Sequence, residues 1–186
     1  MPSIIAGKRR GAKLLAPAND GVRPTPARVR EAIFSSLHAL LGDWSDEIVL
    51  DAFAGSGALG LEAWSRGAKY VQFIEENTAH YKILQKNIEK LEATVQCRAK
   101  LATFPECLAK NSQRYSLVFL DPPYHSELLK RSLHALVQYQ VLANKAILSL
   151  EYDEKQDIDV ETSLYSTIRL KKYGRVVSHF LQYNGG

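Results

Sequence analysis

The sequence predicts an α/β fold: a doubly wound, mostly parallel seven-stranded sheet, closed by a C-terminal antiparallel hairpin and preceded by an N-terminal β-hairpin appendage. Three observations carry that expectation. Between residues 47 and 152, short apolar β-rich runs alternate with segments of helical period, the pattern of a parallel sheet covered on both faces. One of these runs leads straight into a glycine-rich turn, "LDAFAGSGALG" at 50–60, and then a helix. The last third changes character, with two β-rich runs meeting at Tyr173-Gly174 as an antiparallel hairpin.

Each element follows from local chemistry. "SIIAG" and "AKLLAP" flank the basic turn "KRRG" and read as a short hairpin. Pro24 and Pro26 delimit a loop, and Thr25 caps a helix in which Val29, Ile33, Phe34, Leu37, Leu40 and Leu41 recur at helical spacing. "EIVLDAF" is a strand, followed by a helix from Ala58 to Arg66 that Gly67 closes. "KYVQFIE" is the second strand, and Asn77 caps a helix through Leu91. "TVQCR" is the third, with a shorter helix from Leu101 to Lys110. "YSLVFLD" is the fourth, Glu127 to Tyr139 a helix, and "KAILSLEY" the fifth. We expect one domain over 1–186: a basic arm at 1–24 and an α/β body at 25–186 whose core does not need the arm.

Composition narrows the class. The chain has 186 residues, 46% apolar and 24% charged, ordinary for a soluble globular protein. No run of ~18 apolar residues suggests a membrane span, and no signal-peptide core precedes the basic segment. Cys97 and Cys107 lack metal-ligand spacing, so we expect no metal and reduced structural thiols in a cytoplasmic monomer. Residues 1–30 hold seven Lys/Arg against one acid, Asp20, a sum of +6, which leaves −2 for the rest of a chain of net charge +4. Such an arm is either a nucleic-acid footprint or a solvated surface.

Gly55-x-Gly57-x-x-Gly60 lies between a strand and a helix, where glycines let backbone approach a ligand closely. Glu75 ends the next strand, twenty residues after Gly55, in position to accept both ribose hydroxyls of a nucleoside. A dinucleotide would put its pyrophosphate at the helix N-terminus, where the nearby Asp51 is unfavourable. An acid there suits a cationic ligand such as S-adenosylmethionine, although Asp51 could equally cap the loop.

The second constellation is "DPPY", 121–124. Proline cannot extend the strand and stiffens its exit, so Asp121 and Tyr124 are held at the end of a core strand. In a doubly wound sheet the first and fourth strands are neighbours, and ligands bind where the strand order reverses. The exocyclic amino group of a base has a delocalised lone pair. Asp121 and the Pro122 carbonyl can accept its N–H bonds, and Tyr124 can stack the base. The two strand ends together favour N-methylation over a nicotinamide-dependent oxidoreductase.

The motifs "IIAGKRRGAKL", "RPTPARVREAIF", "LDAFAGSGALGLEA", "IEEN", "DPPY" and "KKYG" span essentially the whole chain. In them the sequence resembles the RsmD family of class I S-adenosylmethionine-dependent methyltransferases, which modify the N2 of guanine in bacterial 16S ribosomal RNA. The resemblance implies a Rossmann-like fold, rRNA methylation, and a partner in small-subunit rRNA, alone or in an assembling 30S particle. It makes Ala54, Gly55 and Gly57 the methionine-side loop, Glu75 the ribose ligand, and Asp121, Pro122, Pro123 and Tyr124 the catalytic clamp. Arg23, Pro24, Thr25 and Arg28 would line the active-site rim, while Lys8, Arg9, Arg10 and Lys13 would grip phosphates. Lys100 stands where the family has an Asp or Asn for adenine, which leaves the Leu101 backbone for that contact. Ser35 replaces an Asn. An adenine-N6 methyltransferase of DNA or RNA uses the same clamp and is the alternative. His38, His80, His134 and His179 read as surface residues, and Trp44 and Trp64 as packing. His125 follows the clamp, and Lys171, Lys172 and Arg175 either extend the RNA surface or decorate a hairpin.

Overall fold

A computed structural model describes residues 2–17, 27–110, 112–123, 126–156 and 158–185. In chain order the elements are α1 (Ala27–Leu41), β1 (Ile48–Asp51), α2 (Ala58–Arg66), β2 (Tyr70–Glu75), α3 (Thr78–Lys90), β3 (Cys97–Leu101), a 3-10 helix (Glu106–Lys110), β4 (Tyr115–Leu120), α4 (Ser126–Gln138), β5 (Leu142–Asp153), β6 (Tyr165–Tyr173) and β7 (Val176–Tyr183). The strands form one seven-stranded sheet in the order β3-β2-β1-β4-β5-β7-β6. The first five are parallel, and β7 runs antiparallel between β5 and β6.

The central strands are apolar on both faces because both faces are covered. One layer gathers Phe34 and Leu37 of α1, Trp64 of α2 and Leu84 of α3 over Val49, Phe119 and Phe180. The other packs Leu129, Leu133 and Leu136 of α4 on Leu50, Val118, Leu120 and Leu148. Trp44 and Trp64 are packing residues, both buried in the first layer. Asn77 caps α3 as its sequence implies, accepting from Ala79 N at 2.8 Å and His80 N at 3.1 Å.

Besides the arm, described below, the structure departs from the sequence-based expectation in its element bounds and at one buried histidine. Leu101 closes β3 instead of opening a helix, and helical geometry waits until Glu106, because Pro105 cannot donate within a helix interior. The third strand begins at Cys97, after a turn. β5 starts earlier than expected, at Leu142. His179 is buried, its ring nitrogens 3.2 Å from the Tyr152 hydroxyl and 2.9 Å from Thr167 Oγ1.

The basic arm is built into the body. Ile4 and Leu14 sit in the first core layer, and the arm's two limbs bridge at Ser3 and Lys13. The wholly buried Glu62 accepts from Ile5 N at 2.6 Å and Ala6 N at 3.0 Å. Asn87 of α3 does the same for Leu15, donating to its carbonyl at 3.0 Å and accepting its N–H at 2.8 Å. Gly7 has φ +82° and lies so close to Ser65 that a Cβ would overlap that residue's carbonyl. Only glycine meets both demands.

Candidate active site

β1 and β4 are hydrogen-bonded neighbours, and β2 and β5 continue in opposite directions from them. This is the reversal point at which a doubly wound sheet opens a crevice. Two chain segments leave the sheet there: residues 52–57 after β1 and Asp121-Pro122-Pro123 after β4.

The glycine turn is shaped by its backbone. Gly55 and Gly57 have φ of +53° and +83°, the left-handed region. A Cβ at Gly55 would meet nothing within 4 Å, so its backbone faces open space. Gly60 has another reason to be glycine: a Cβ there would strike the Phe73 ring. Glu75 anchors the turn. Its Oε2 accepts from Gly55 N at 2.7 Å and its Oε1 from Asn77 N at 2.8 Å. A carboxylate offers about four lone-pair positions, which leaves capacity for two further donors. Leu101 pairs with Glu75 across the sheet and is 46% exposed, an apolar surface beside the carboxylate.

Asp51 is 2% exposed and turns inward, where Oδ2 accepts from Gly60 N at 2.9 Å. Of the two roles its position allowed, loop cap is the one it takes. Its charge still matters. Burial first, with the nearby Asp121 and Glu75 adding to it, pushes its pKa up to about 7 against the opposing Gly60 bond. Asp51 thus lies behind a crevice edged by Glu75 and Asp121, and the charges that shift it are all negative. The field suits a cationic ligand. Open backbone at Gly55, an acid at the end of β2, an apolar neighbour and a negative field together fit S-adenosylmethionine.

Asp121 and Pro122 are half-buried at the crevice, and Pro123 is exposed. Tyr124, His125, Arg23, Pro24 and Thr25 lie outside the described residues. Arg28 is exposed in the first turn of α1. The arm's basic tip lies elsewhere. Lys8 N donates to Ser65 O at 2.8 Å, and Arg9 Nε to Leu91 O at 3.0 Å. Those carbonyls end α2 and α3, helices that return from the carboxyl to the amino ends of the strands. The tip is thus at the far end of the sheet from Asp121. The Lys8 ammonium stacks 3.9 Å over Trp64, and burial lowers its pKa. Arg9 pairs with Glu92. Arg10 and Lys13 are exposed.

Sequence reasoning passed over Arg30, which is 3% exposed although charged. Burial lowers its pKa, and Glu62 and Glu151 oppose that shift. Its signal was its place in the apolar stripe, three and seven residues before Ile33 and Leu37. A groove of about 530 Å³ between α4 and residues 159–165 lies at the start of β6, away from the crevice.

Sheet order and the two strand ends place the chain among the class I methyltransferases. Comparison with known proteins makes this specific. The chain belongs to the family described as conserved hypothetical protein 95, whose model matches residues 3–182. It is 36% identical over 179 residues to ribosomal RNA small subunit methyltransferase D of Escherichia coli K12, covering 96% of this chain and 88% of that one. It superposes on the solved structure of yhhF from Escherichia coli with a TM-score of 0.89 at 33% identity, covering 100% and 99% of the two chains. At 13% identity it shares its fold with an RNA methyltransferase from Salinibacter ruber in complex with S-adenosyl-L-homocysteine (TM-score 0.66, 88% and 95% covered).

Proposed function

We propose that this protein methylates the exocyclic N2 amino group of a guanine in small-subunit ribosomal RNA. The observation that carries this reading is the meeting of Asp121-Pro122 with the Gly55–Glu75 loop at the β1/β4 reversal. The names of the close relatives supply the substrate. We place the reaction in the cytoplasm, on small-subunit rRNA alone or within an assembling particle, with the enzyme acting as a monomer.

S-adenosylmethionine, when bound, supplies an electrophilic methyl group on a cationic sulfur. Ala54, Gly55 and Gly57 would hold its methionine side by backbone, Glu75 its ribose, and the Leu101 surface its adenine. Asp51 acts through charge and by holding the turn. The chain's remaining task is to make an aryl amine nucleophilic. Asp121 and the Pro122 carbonyl each accept an N–H from the target amine, which draws its lone pair out of conjugation. Asp121 then takes up the proton the nitrogen loses as its bond to carbon forms, and passes it to solvent. Tyr124 stacks the base. General-base assistance of this kind is worth ~10²–10⁴ in rate.

The test is methyl transfer from labelled S-adenosylmethionine to small-subunit rRNA, followed by mass-spectrometric mapping of the modified nucleotide. We expect N2-methylguanosine with the wild type and none with Asp121→Ala. N6-methyladenosine as the product would select the adenine-directed reading instead.

A further inference from the structure

The C-terminal hairpin carries a cluster of basic residues, and the sheet register shows where it lies relative to Asp121. Leu120 pairs with Leu150, Leu150 with His179, and His179 with Leu170. One step further along, Asp121 follows Leu120, Glu151 pairs with Ser178, and Ser178 pairs with Lys171. Lys171 is therefore level with Asp121, three strands away. At ~4.8 Å per strand the separation is about 14 Å. Lys172, Tyr173 and Arg175 continue beyond that level, around the turn at Gly174.

We propose that Lys171 and Lys172, with Arg175, bind phosphates of the RNA strand that presents its base to Asp121. This inference rests on the RNA reading above and names the surface that reading requires. The segment 165–176 has four basic residues (Arg169, Lys171, Lys172 and Arg175) and no acid. Lys171 and Lys172 are exposed, and neither makes an ion pair among the described residues. Their strand faces differ: Lys171 shares a face with Ser178, and Lys172 with Val177. Together they cover both sides of the strand end. Arg175 is held to Asp153 at 2.8 Å and contributes less free charge. Lysines on an edge strand also deter strand addition, but that duty does not require them at the height of the catalytic acid. The arm's tip lies at the opposite end of the sheet, against the ends of α2 and α3, so the hairpin is the basic cluster level with Asp121.

The experiment compares wild type with Lys171→Gln/Lys172→Gln for binding of a small-subunit rRNA transcript across salt concentrations. S-adenosylhomocysteine affinity and melting temperature are measured in parallel. Losing two phosphate contacts should flatten the slope of log K against log salt by about 1.5 and weaken binding about tenfold near physiological salt. KM for RNA should rise at unchanged kcat and unchanged S-adenosylhomocysteine affinity. A wild-type salt slope in the double variant overturns the inference. So does wild-type binding to naked RNA combined with impaired methylation of small-subunit particles, because the hairpin would then meet a protein. If the wild type itself neither binds nor methylates RNA, the functional reading fails first, and this inference with it.

Discussion

Replacing Glu75 tests how the cofactor crevice is held. The side chain is 9% exposed and on this reading does two things through the same two oxygens. It fixes the turn by accepting from Gly55 N at 2.7 Å and Asn77 N at 2.8 Å, and on the proposed reading it also accepts from the ribose hydroxyls. Bonds to a charged acceptor are worth ~1.5–3 kcal/mol each. Glu75→Ala removes the ribose bonds and leaves Gly55 N unmatched in the free protein. Losing two ribose bonds alone predicts ~3–6 kcal/mol, or two to four decades in Kd. Relaxation of the turn and entry of water should bring the loss toward the lower figure. Glu75→Gln keeps the shape but sets an NH₂ against one of the two backbone donors, so about one decade is expected.

The assay is titration calorimetry with S-adenosylhomocysteine, with thermal unfolding beside it. Asn77 caps α3 through its own side chain, so α3 should survive both substitutions, with only a small fall in melting temperature. The order Ala worse than Gln worse than wild type is the signature of an acceptor with two partners. Affinity within threefold of wild type for Glu75→Ala would refute the argument and move the ribose contact to another residue.

Asp121→Asn should lower kcat by ~10²–10⁴ while S-adenosylhomocysteine affinity stays within a few-fold, since the carboxylate acts on the amine; equal losses in both would reassign it to cofactor binding. For Asp51, the folded-state pKa of about 7 lies above the ordinary 3.8. The native state therefore holds a proton that the unfolded chain has lost, and this group lowers stability as pH rises from about 4 to about 7. Asp51→Asn keeps an acceptor for Gly60, so its melting temperature should gain on wild type across that window and run parallel above it. A constant offset between the two curves from pH 5 to 8 would contradict the shift. Deleting residues 2–16 should unfold the body: burial of Ile4 and Leu14 is worth ~1.5–3 kcal/mol each. It would also strip Glu62 of two backbone donors while leaving its Arg66 partner at 2.8 Å, and bonds to a charged group are worth ~1.5–3 kcal/mol each. A truncated protein with wild-type melting behaviour would refute that sum.

The sheet was legible because its signals are local and repeated: apolar strands, glycine or asparagine at helix ends, and a hairpin turn at Tyr173-Gly174. The reversal point followed from strand order, and Gly55, Glu75 and Asp121 from their positions at strand ends. What could not be read was three-dimensional pairing. Nothing near Glu62 in sequence announces that its partners are Ile5 and Ala6, and a basic hairpin outside a β-α alternation looks like an attachment. Asp51 was ambiguous because its bond to Gly60 depends on a turn whose path the sequence does not fix. The failed helix at Leu101 shows propensity yielding to one proline.

The charge arrangement also bears on how the cycle turns over. Burial is the main cause of the raised Asp51 pKa, and the nearby Asp121 and Glu75 add repulsion to it. A cation placed among them relieves that repulsion and draws Asp51 toward its ionised form, so binding of a sulfonium should release a proton below about pH 7. After transfer the sulfur is neutral, and the carboxylates lose the charge that had offset them. On the proposed mechanism Asp121 has meanwhile taken a proton from the amine. The crevice is thus built to favour the charged reactant over the uncharged product, without any contact that distinguishes their adenosine. On this argument the preference for S-adenosylmethionine over S-adenosylhomocysteine should shrink in Asp51→Asn, while Leu101→Ala should weaken both ligands alike. Calorimetry with the two ligands on the two variants measures this, and an unchanged ratio in Asp51→Asn would count against electrostatic discrimination.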